Sequence, residues 1–286
     1  MAKDILDVGG FTIIQRIGTG ARSTIYLASD EENDMKVALK RVIFEKPEDS
    51  RIFEQIETEY KVARRIDHPY VRKCYELRKV RSMFRVREML LSMEYFDGKS
   101  LEDSSSLSLG DVLLVFRMVA SGLNAMHQHG FVHCDMKPNN ILISKSGSIK
   151  IIDLGQSCKI GTIKSRIQGT PDYIAPEQVK RRPLSPKTDI FNLGATMYWA
   201  LTGKHAPTLI PKKNKLGLPV AVPRRAPHEL KNQIPPGISK LVMDCIEDDP
   251  TQRPPNMMTV VSRLDLMVHS IFGGKIKTSK NASNSH

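Results

Sequence analysis

The chain has little cysteine, and what it has is scattered: Cys74, Cys134, Cys158 and Cys245 contain no C-x-x-C pair. That spacing argues against a zinc site and against a disulfide framework, and it favours reduced thiols in a cytoplasmic protein. No uninterrupted apolar run approaches the roughly 18 residues of a membrane-spanning helix, so no span is expected. The opening MAKDILDVGG lacks the basic-then-apolar profile of a signal peptide. There is no internal repeat. The basic stretches lack the interleaved aromatics of a base-stacking surface, so nucleic-acid binding is not expected.

What remains is ordinary for a soluble globular protein: 40% hydrophobic and 26% charged residues. A length of 286 residues suffices for one large domain or for two lobes, each with its own core. The 43 basic residues outnumber the 31 acidic ones, a net charge of +12. The excess is spread along the chain, through Arg72–Arg87, Lys180–Arg182, Lys212–Lys215 and Arg224–Arg225. Such a balance suits an acidic partner as well as it suits plain solubility.

Apolar periodicity changes once along the chain. Residues 11–45 alternate as strands do, 52–66 carry a helical face with Ile52, Ile56, Tyr60 and Ala63, and strand-like runs return near 72–78 and 86–95. From Ser108 the spacing turns helical, and Ser108 with Asp111 three residues later marks a helix start. Further helices are expected over 188–202, 237–247 and 256–271. Asp97-Gly98-Lys99 falls at the change. The polar stretch GGKIKTSKNASNSH at the end is expected to be disordered.

The densest chemistry lies in HCDMKPNN, residues 133–140, followed by DLG at 153–155. A phosphate-handling site needs a base near the accepting oxygen, a cation on the transferring phosphate, and hard oxygen ligands for Mg²⁺. Asp135, Lys137, Asn140 and Asp153 offer that set in one short run. The order H-x-D-x-K-x-x-N then D-x-G resembles the catalytic and metal-binding loops of eukaryotic-type serine/threonine protein kinases. Other stretches resemble the same family: IGTGARSTI at 17–25, VALK at 37–40, MEYF at 93–96, GTPDYIAPE at 169–177, TDIFNLG at 188–194 and DPTQRP at 249–254. The first is not a Walker A loop, since no G-K-[ST] follows and no helix starts there.

The resemblance implies an α+β, bilobal fold: a small strand-rich N-lobe over 1–96, a larger mainly helical C-lobe over 97–272, and a tail from 273 to 286. It implies an ATP- and Mg²⁺-dependent transfer of the γ-phosphoryl group to serine or threonine hydroxyls of a protein substrate. Asp135 would act as catalytic base and Lys137 would neutralise the γ-phosphate; Asn140 and Asp153 would hold Mg²⁺. Ile17, Gly18, Thr19, Gly20, Ala21, Arg22, Ser23 and Ile25 would form the loop over the phosphates, although Ser23 stands where the family has its third glycine. Lys40 would anchor the α- and β-phosphates. Glu59, nine residues before His68-Pro69, would hold that lysine, in preference to Glu54 and Glu57. Met93 would sit behind the adenine, with the backbone of Glu94, Tyr95 and Phe96 at its edge and Ala38, Ile25 and Leu142 against its faces. Thr170 would bridge Asp135 and Lys137. Glu177 would pair with Arg253, and Asp189 would fix the catalytic-loop backbone. Thr162 and Ser165 are the activation-segment hydroxyls open to phosphorylation.

Two departures stand out. Cys134 precedes the aspartate where many regulated kinases have arginine, so the chain has an HCD, non-RD loop. A thiol cannot receive an activating phosphate as that arginine does; a redox role for Cys134 would instead require a lowered pKa and exposure. DLG for DFG exchanges one apolar residue for another. Two other functions fit parts of the pattern: a catalytically dead nucleotide-binding scaffold and a small-molecule phosphotransferase. Lys40, Asp135 and Asp153 argue against the first, and the A-P-E segment argues against the second. The basic run Lys204, Lys212, Lys213, Lys215, Arg224, Arg225 and Lys231 offers docking to an acidic surface.

Overall fold

The computed structural model describes all residues except 1–6, 21, 46–49, 83–84, 105–106, 211, 214–218, 221–222 and 283–286, and gives only the backbone at 212–213, 219–220 and 272–282. It divides into two compact units, the first of residues 1–97 with 152–157 and the second of 98–151 with 158–286.

The first unit is built on one antiparallel sheet. Its strands are β1 (Asp7–Val8), β2 (Phe11–Thr19), β3 (Ser23–Asp30) and β4 (Met35–Ile43), then α1 (Ser50–Ala63), β5 (Cys74–Ser82) and β6 (Arg85–Glu94), with spatial order β1-β2-β3-β4-β6-β5. Apolar side chains from β1, β2, β3, β4 and β6 bury one another in a core of Val8, Phe11, Ala28, Val37, Leu39 and Leu90. Phe11, Leu39 and Leu90 are essentially inaccessible, and each such side chain contributes about 1.5–3 kcal/mol. α1 turns Phe53, Ile56, Glu59, Val62 and Ala63 inward. One of those five is a carboxylate, which requires partners. The 152–157 segment belongs with this unit because it packs on α1: a Cβ at Gly155 would stand 3.2 Å from the Gln55 backbone.

The second unit is mainly helical. It runs β7 (Lys99–Ser100), α2 (Leu109–Gln128), β8 (Phe131–Val132), β9 (Ile141–Ile143), β10 (Ile149–Ile151), β11 (Cys158–Lys159), α3 (Pro176–Val179), α4 (Pro186–Thr202), β12 (Lys212–Lys213), β13 (Pro219–Val220), α5 (Pro227–Leu230), α6 (Pro236–Cys245) and α7 (Met257–Ala282). Ser108 caps α2 as expected, accepting from the Asp111 N–H, a contact worth about 1 kcal/mol. By length and composition α2 could cross a bilayer. Instead its apolar face, with Leu113, Phe116, Val119 and Leu123 fully buried, forms the centre of this unit. α4 ends where Gly203 adopts φ 74°, a left-handed cap that glycine takes without strain. The two-residue strands and short helices α3 and α5 are too brief for periodicity to mark.

The backbone of α7 is helical through Ala282, across most of the stretch expected to be disordered from 273.

Candidate functional site

In the first unit, β2 and β3 form a hairpin whose turn follows the Thr19–Thr24 pair. Gly20 N–H donates to the Ser23 carbonyl at 2.7 Å, and a Cβ on Gly20 would stand 2.7 Å from Ser23 Oγ. Gly18, Thr19, Ser23 and Ile25 line the two arms of the turn and Arg22 its tip, Ile17 being half exposed; Ala21 lies outside the described residues. β4 pairs with β6 so that Ala38 faces Met93, both buried. Glu94 N–H donates to the Lys73 carbonyl at 2.9 Å. Tyr95 and Phe96 follow as partly buried chain.

Lys40 projects from β4 and donates to Glu59 Oε2 at 2.7 Å, with Asp153 Oδ1 3.8 Å away. The spacing argument thus selected the right carboxylate; Glu57 pairs with Lys61 and Lys79 instead. Glu59 is 1% exposed, and Arg72 reaches its other oxygen at 3.3 Å, so this buried carboxylate has a cation on each oxygen. Burial alone would lower the Lys40 pKa, but the charges of Glu59 and Asp153 outweigh it and raise the value above 10.5. Lys40 is therefore a fixed cation at neutral pH. Arg72 carried no signal in the sequence beyond its place in a basic run.

In the second unit, Asp135 is 4% exposed and fully engaged. Its Oδ1 accepts from Thr170 N–H at 3.1 Å and from Thr170 Oγ1 at 2.9 Å. Lys137 Nζ stands 3.2 Å from Oδ2 and donates to Thr170 Oγ1 at 3.0 Å. Thr170 thus bridges the two, as expected. Asn140 Nδ2 donates to the Asp135 carbonyl at 2.7 Å, which orients the amide and leaves its oxygen as the ligating atom. Leu142 follows on β9, partly buried.

The loop carrying these groups is held from behind. Asp189, on α4 and fully buried, accepts from the backbone N–H groups of His133 and Cys134, each at 2.8 Å, and lies 2.8 Å from His127 Nε2. Burial would raise its pKa, yet the hydrogen bond and charge of His127 and the Cys134 N–H bring the net value below 3.8. Its contribution to stability is present in full above pH 3.8 and is lost as the pH falls through the lower folded value. Acid titration of Asp189→Asn should therefore show a shallower loss of stability below that pH than the parent protein, by circular dichroism; parallel curves would refute it.

Cys134 sits at φ 67°, and Gln178 Nε2 clamps its carbonyl at 2.7 Å. Gln178 Oε1 in turn accepts from Ala175 N–H and Asn192 Nδ2, both at 3.0 Å. This clamp was not foreseen; the one hint is that Gln178 directly follows A-P-E. Glu177 and Arg253 form the expected pair, 2.8 and 3.0 Å in two parallel bonds, with Thr188 Oγ1 on the same carboxylate. Of the activation-segment hydroxyls, Thr162 Oγ1 donates to the Lys159 carbonyl, and Ser165 is exposed with its carbonyl held by Arg181.

The docking cluster is only partly free. Arg224 bonds the carbonyls of Ile246 and Pro207 and the Asp248 carboxylate, so it fixes chain rather than presenting charge. Arg225 lies beside Glu229. The Lys212 and Lys213 side chains and all of Lys215 lie outside the described residues.

Asp153 and Asn140 are hard oxygen donors, and Mg²⁺ takes few protein ligands beside water and phosphate. Among the described residues no cluster of three or more His, Cys, Asp or Glu could hold a metal.

Residues 11–263 match the model of the protein kinase domain. Serine/threonine-protein kinase PknD of Chlamydia abortus is 28% identical over 85% of the chain, and serine/threonine-protein kinase PrkC of Bacillus subtilis 29% identical over 68%. The chain spans only 29% and 31% of those two proteins. The kinase domain of Mycobacterium tuberculosis PknI superposes with a TM-score of 0.69, covering 93% of this chain and 99% of that one at 20% identity, a likeness of fold. With the motif order, the two clusters and a match over most of its length in agreement, this chain belongs to the protein kinase domain family.

Proposed function

We propose that the chain is an active serine/threonine protein kinase that binds ATP with Mg²⁺ and phosphorylates a protein substrate. The observation carrying this reading is that both charged clusters are intact: Lys40 on Glu59 in one unit, and Asp135, Lys137 and Thr170 joined in the other. The β2–β3 turn with Lys40 would hold the phosphates, Ala38 and Met93 would offer apolar cover to adenine, and Asp153 and Asn140 would hold Mg²⁺. Bound there, the metal would neutralise phosphate charge. Asp135 accepts hydrogen bonds readily and is placed to orient an acceptor hydroxyl and take its proton. Lys137, 3.2 Å from that carboxylate, supplies a cation to the transferring group. Most of the rate comes from such positioning and electrostatics. Because Cys134 is not a cation, activity would not require a phosphate at Thr162 or Ser165. The protein would act in the cytoplasm.

Purified protein with labelled ATP and a generic basic protein should transfer label, and Asp153→Ala should not. Mg-ATP at 100 times its Kd should also stabilise the fold by roughly 2.7 kcal/mol, read as a raised Tm. A shift without transfer would indicate a nucleotide-binding scaffold; transfer only to small molecules would indicate the other alternative. No shift at saturation would refute the nucleotide site itself.

A further inference from the structure

Cys134 Sγ and Cys158 Sγ lie 3.7 Å apart. The topology brings them there: β11 pairs antiparallel with β8, placing Cys158 opposite Val132, and the chain turns back through Cys134 at φ 67°. The two thiols are unequal. Cys134 is 2% exposed and packed with Val132 and Leu184, whereas Cys158 is partly open to solvent. The hydrogen bond between the two sulfurs lowers the Cys158 pKa to about 7, helped by Lys164 and Thr162 against the cost of burial. The same bond, with burial, pushes the Cys134 thiol up. Cys74 and Cys245, by contrast, are buried and raised to about 12. The cations Lys164, Arg181 and Arg182 line a recess against Cys134.

An accessible thiolate with a buried thiol behind it is the arrangement of an attacking and a resolving cysteine. We propose that Cys158 and Cys134 form a reversible disulfide when oxidised by a hydroperoxide, and that this bond lowers activity by displacing Asp135. The Cys158 thiolate attacks a peroxide oxygen; the O–O bond breaks, and the leaving hydroxide takes a proton to become water. Cys158 is then a sulfenic acid. The Cys134 sulfur attacks it, the S–S bond forms, and the sulfenic hydroxyl leaves as a second water with the Cys134 proton. Two thiols are oxidised by two electrons, and hydrogen peroxide is reduced to two waters.

A disulfide needs its sulfurs about 2.05 Å apart, so the pair must close beyond its present 3.7 Å. Cys134 has little freedom to yield. Asp189 holds its N–H at 2.8 Å and Gln178 its carbonyl at 2.7 Å, and the next residue is Asp135. The closing movement therefore strains the peptide that positions the base. This identifies Cys158 as the reactive thiol, where a redox role read from sequence alone had fallen on Cys134. The link stands apart from the kinase reading; its effect on turnover rests on it.

The test is treatment of the purified full chain with hydrogen peroxide, followed by alkylation and peptide mapping. A linked peptide pair containing Cys134 and Cys158 is expected, with kinase activity lowered about 10- to 100-fold and restored by dithiothreitol. Cys158→Ser, its fold checked by thermal melt, should keep its activity through the same treatment. Cys134→Ser should give no link and accumulate a sulfenic acid at Cys158, trapped by dimedone. Alkylation of both cysteines after peroxide, or a sulfinic acid at Cys158 of the parent protein without any link, would overturn the disulfide. A quantitative link with unchanged turnover, in protein whose untreated sample is active, would overturn its effect on Asp135. If the untreated protein is inactive, mapping still decides the bond.

Discussion

Asp135→Asn should lower phosphoryl transfer by about 10²–10⁴-fold, the range for removal of a positioned general base, while nucleotide binding stays near that of the parent protein. Asparagine keeps the size of the side chain and one acceptor, so the Thr170 bonds at Oδ1 can persist. What it loses is the basic oxygen and the negative charge facing Lys137 at 3.2 Å. On the proposed role the carboxylate would serve the acceptor hydroxyl and not ATP, so kcat should fall with little change in the Kd for Mg-ATP. Calorimetric titration beside a single-turnover assay separates the two. Near-parental turnover in scrupulously purified Asp135→Asn would remove this residue from the chemistry.

Arg253→Ala should cost about 3–5 kcal/mol of stability, the penalty for leaving a buried ion without its partner. The guanidinium bonds both oxygens of Glu177, three carbonyls, of Lys187, Glu247 and Asp248, and lies 4.9 Å over the Phe191 ring. Its side chain has no exposure at all. Alanine abandons every one of these groups in a dry site. Denaturant unfolding should show an earlier midpoint. Adding Glu177→Gln should recover part of the loss, because the orphaned charge then disappears. A change below about 1 kcal/mol would mean that water or Lys187 replaces the guanidinium.

Much of the candidate site could be read from residue order because its polar groups lie in contiguous strings: Asp135, Lys137 and Asn140 within eight residues, Asp153 soon after. Glu59 was legible through the family's spacing, nine residues before His68-Pro69. The supports were harder. Arg72, Gln178 and Asn192 are ordinary polar residues whose roles depend on partners far along the chain, and no local pattern distinguishes them from surface. Cys158 looked like a lone thiol until strand pairing set it against Cys134. Residues 152–157 lie within the sequence of the second unit yet pack with α1, a grouping that only tertiary contact decides.

The Lys40 cluster has an electrostatic corollary. Two cations, Lys40 and Arg72, stand with two carboxylates, Glu59 and Asp153, so the group is electroneutral before any ligand arrives. A bare triphosphate would meet no surplus positive field there, only a lysine already shared between acids. Its charge has to travel with its own counterion. The same balance means that Asp153→Asn would leave that cluster net positive, attracting metal-free nucleotide more strongly while removing the carboxylate that would anchor the counterion.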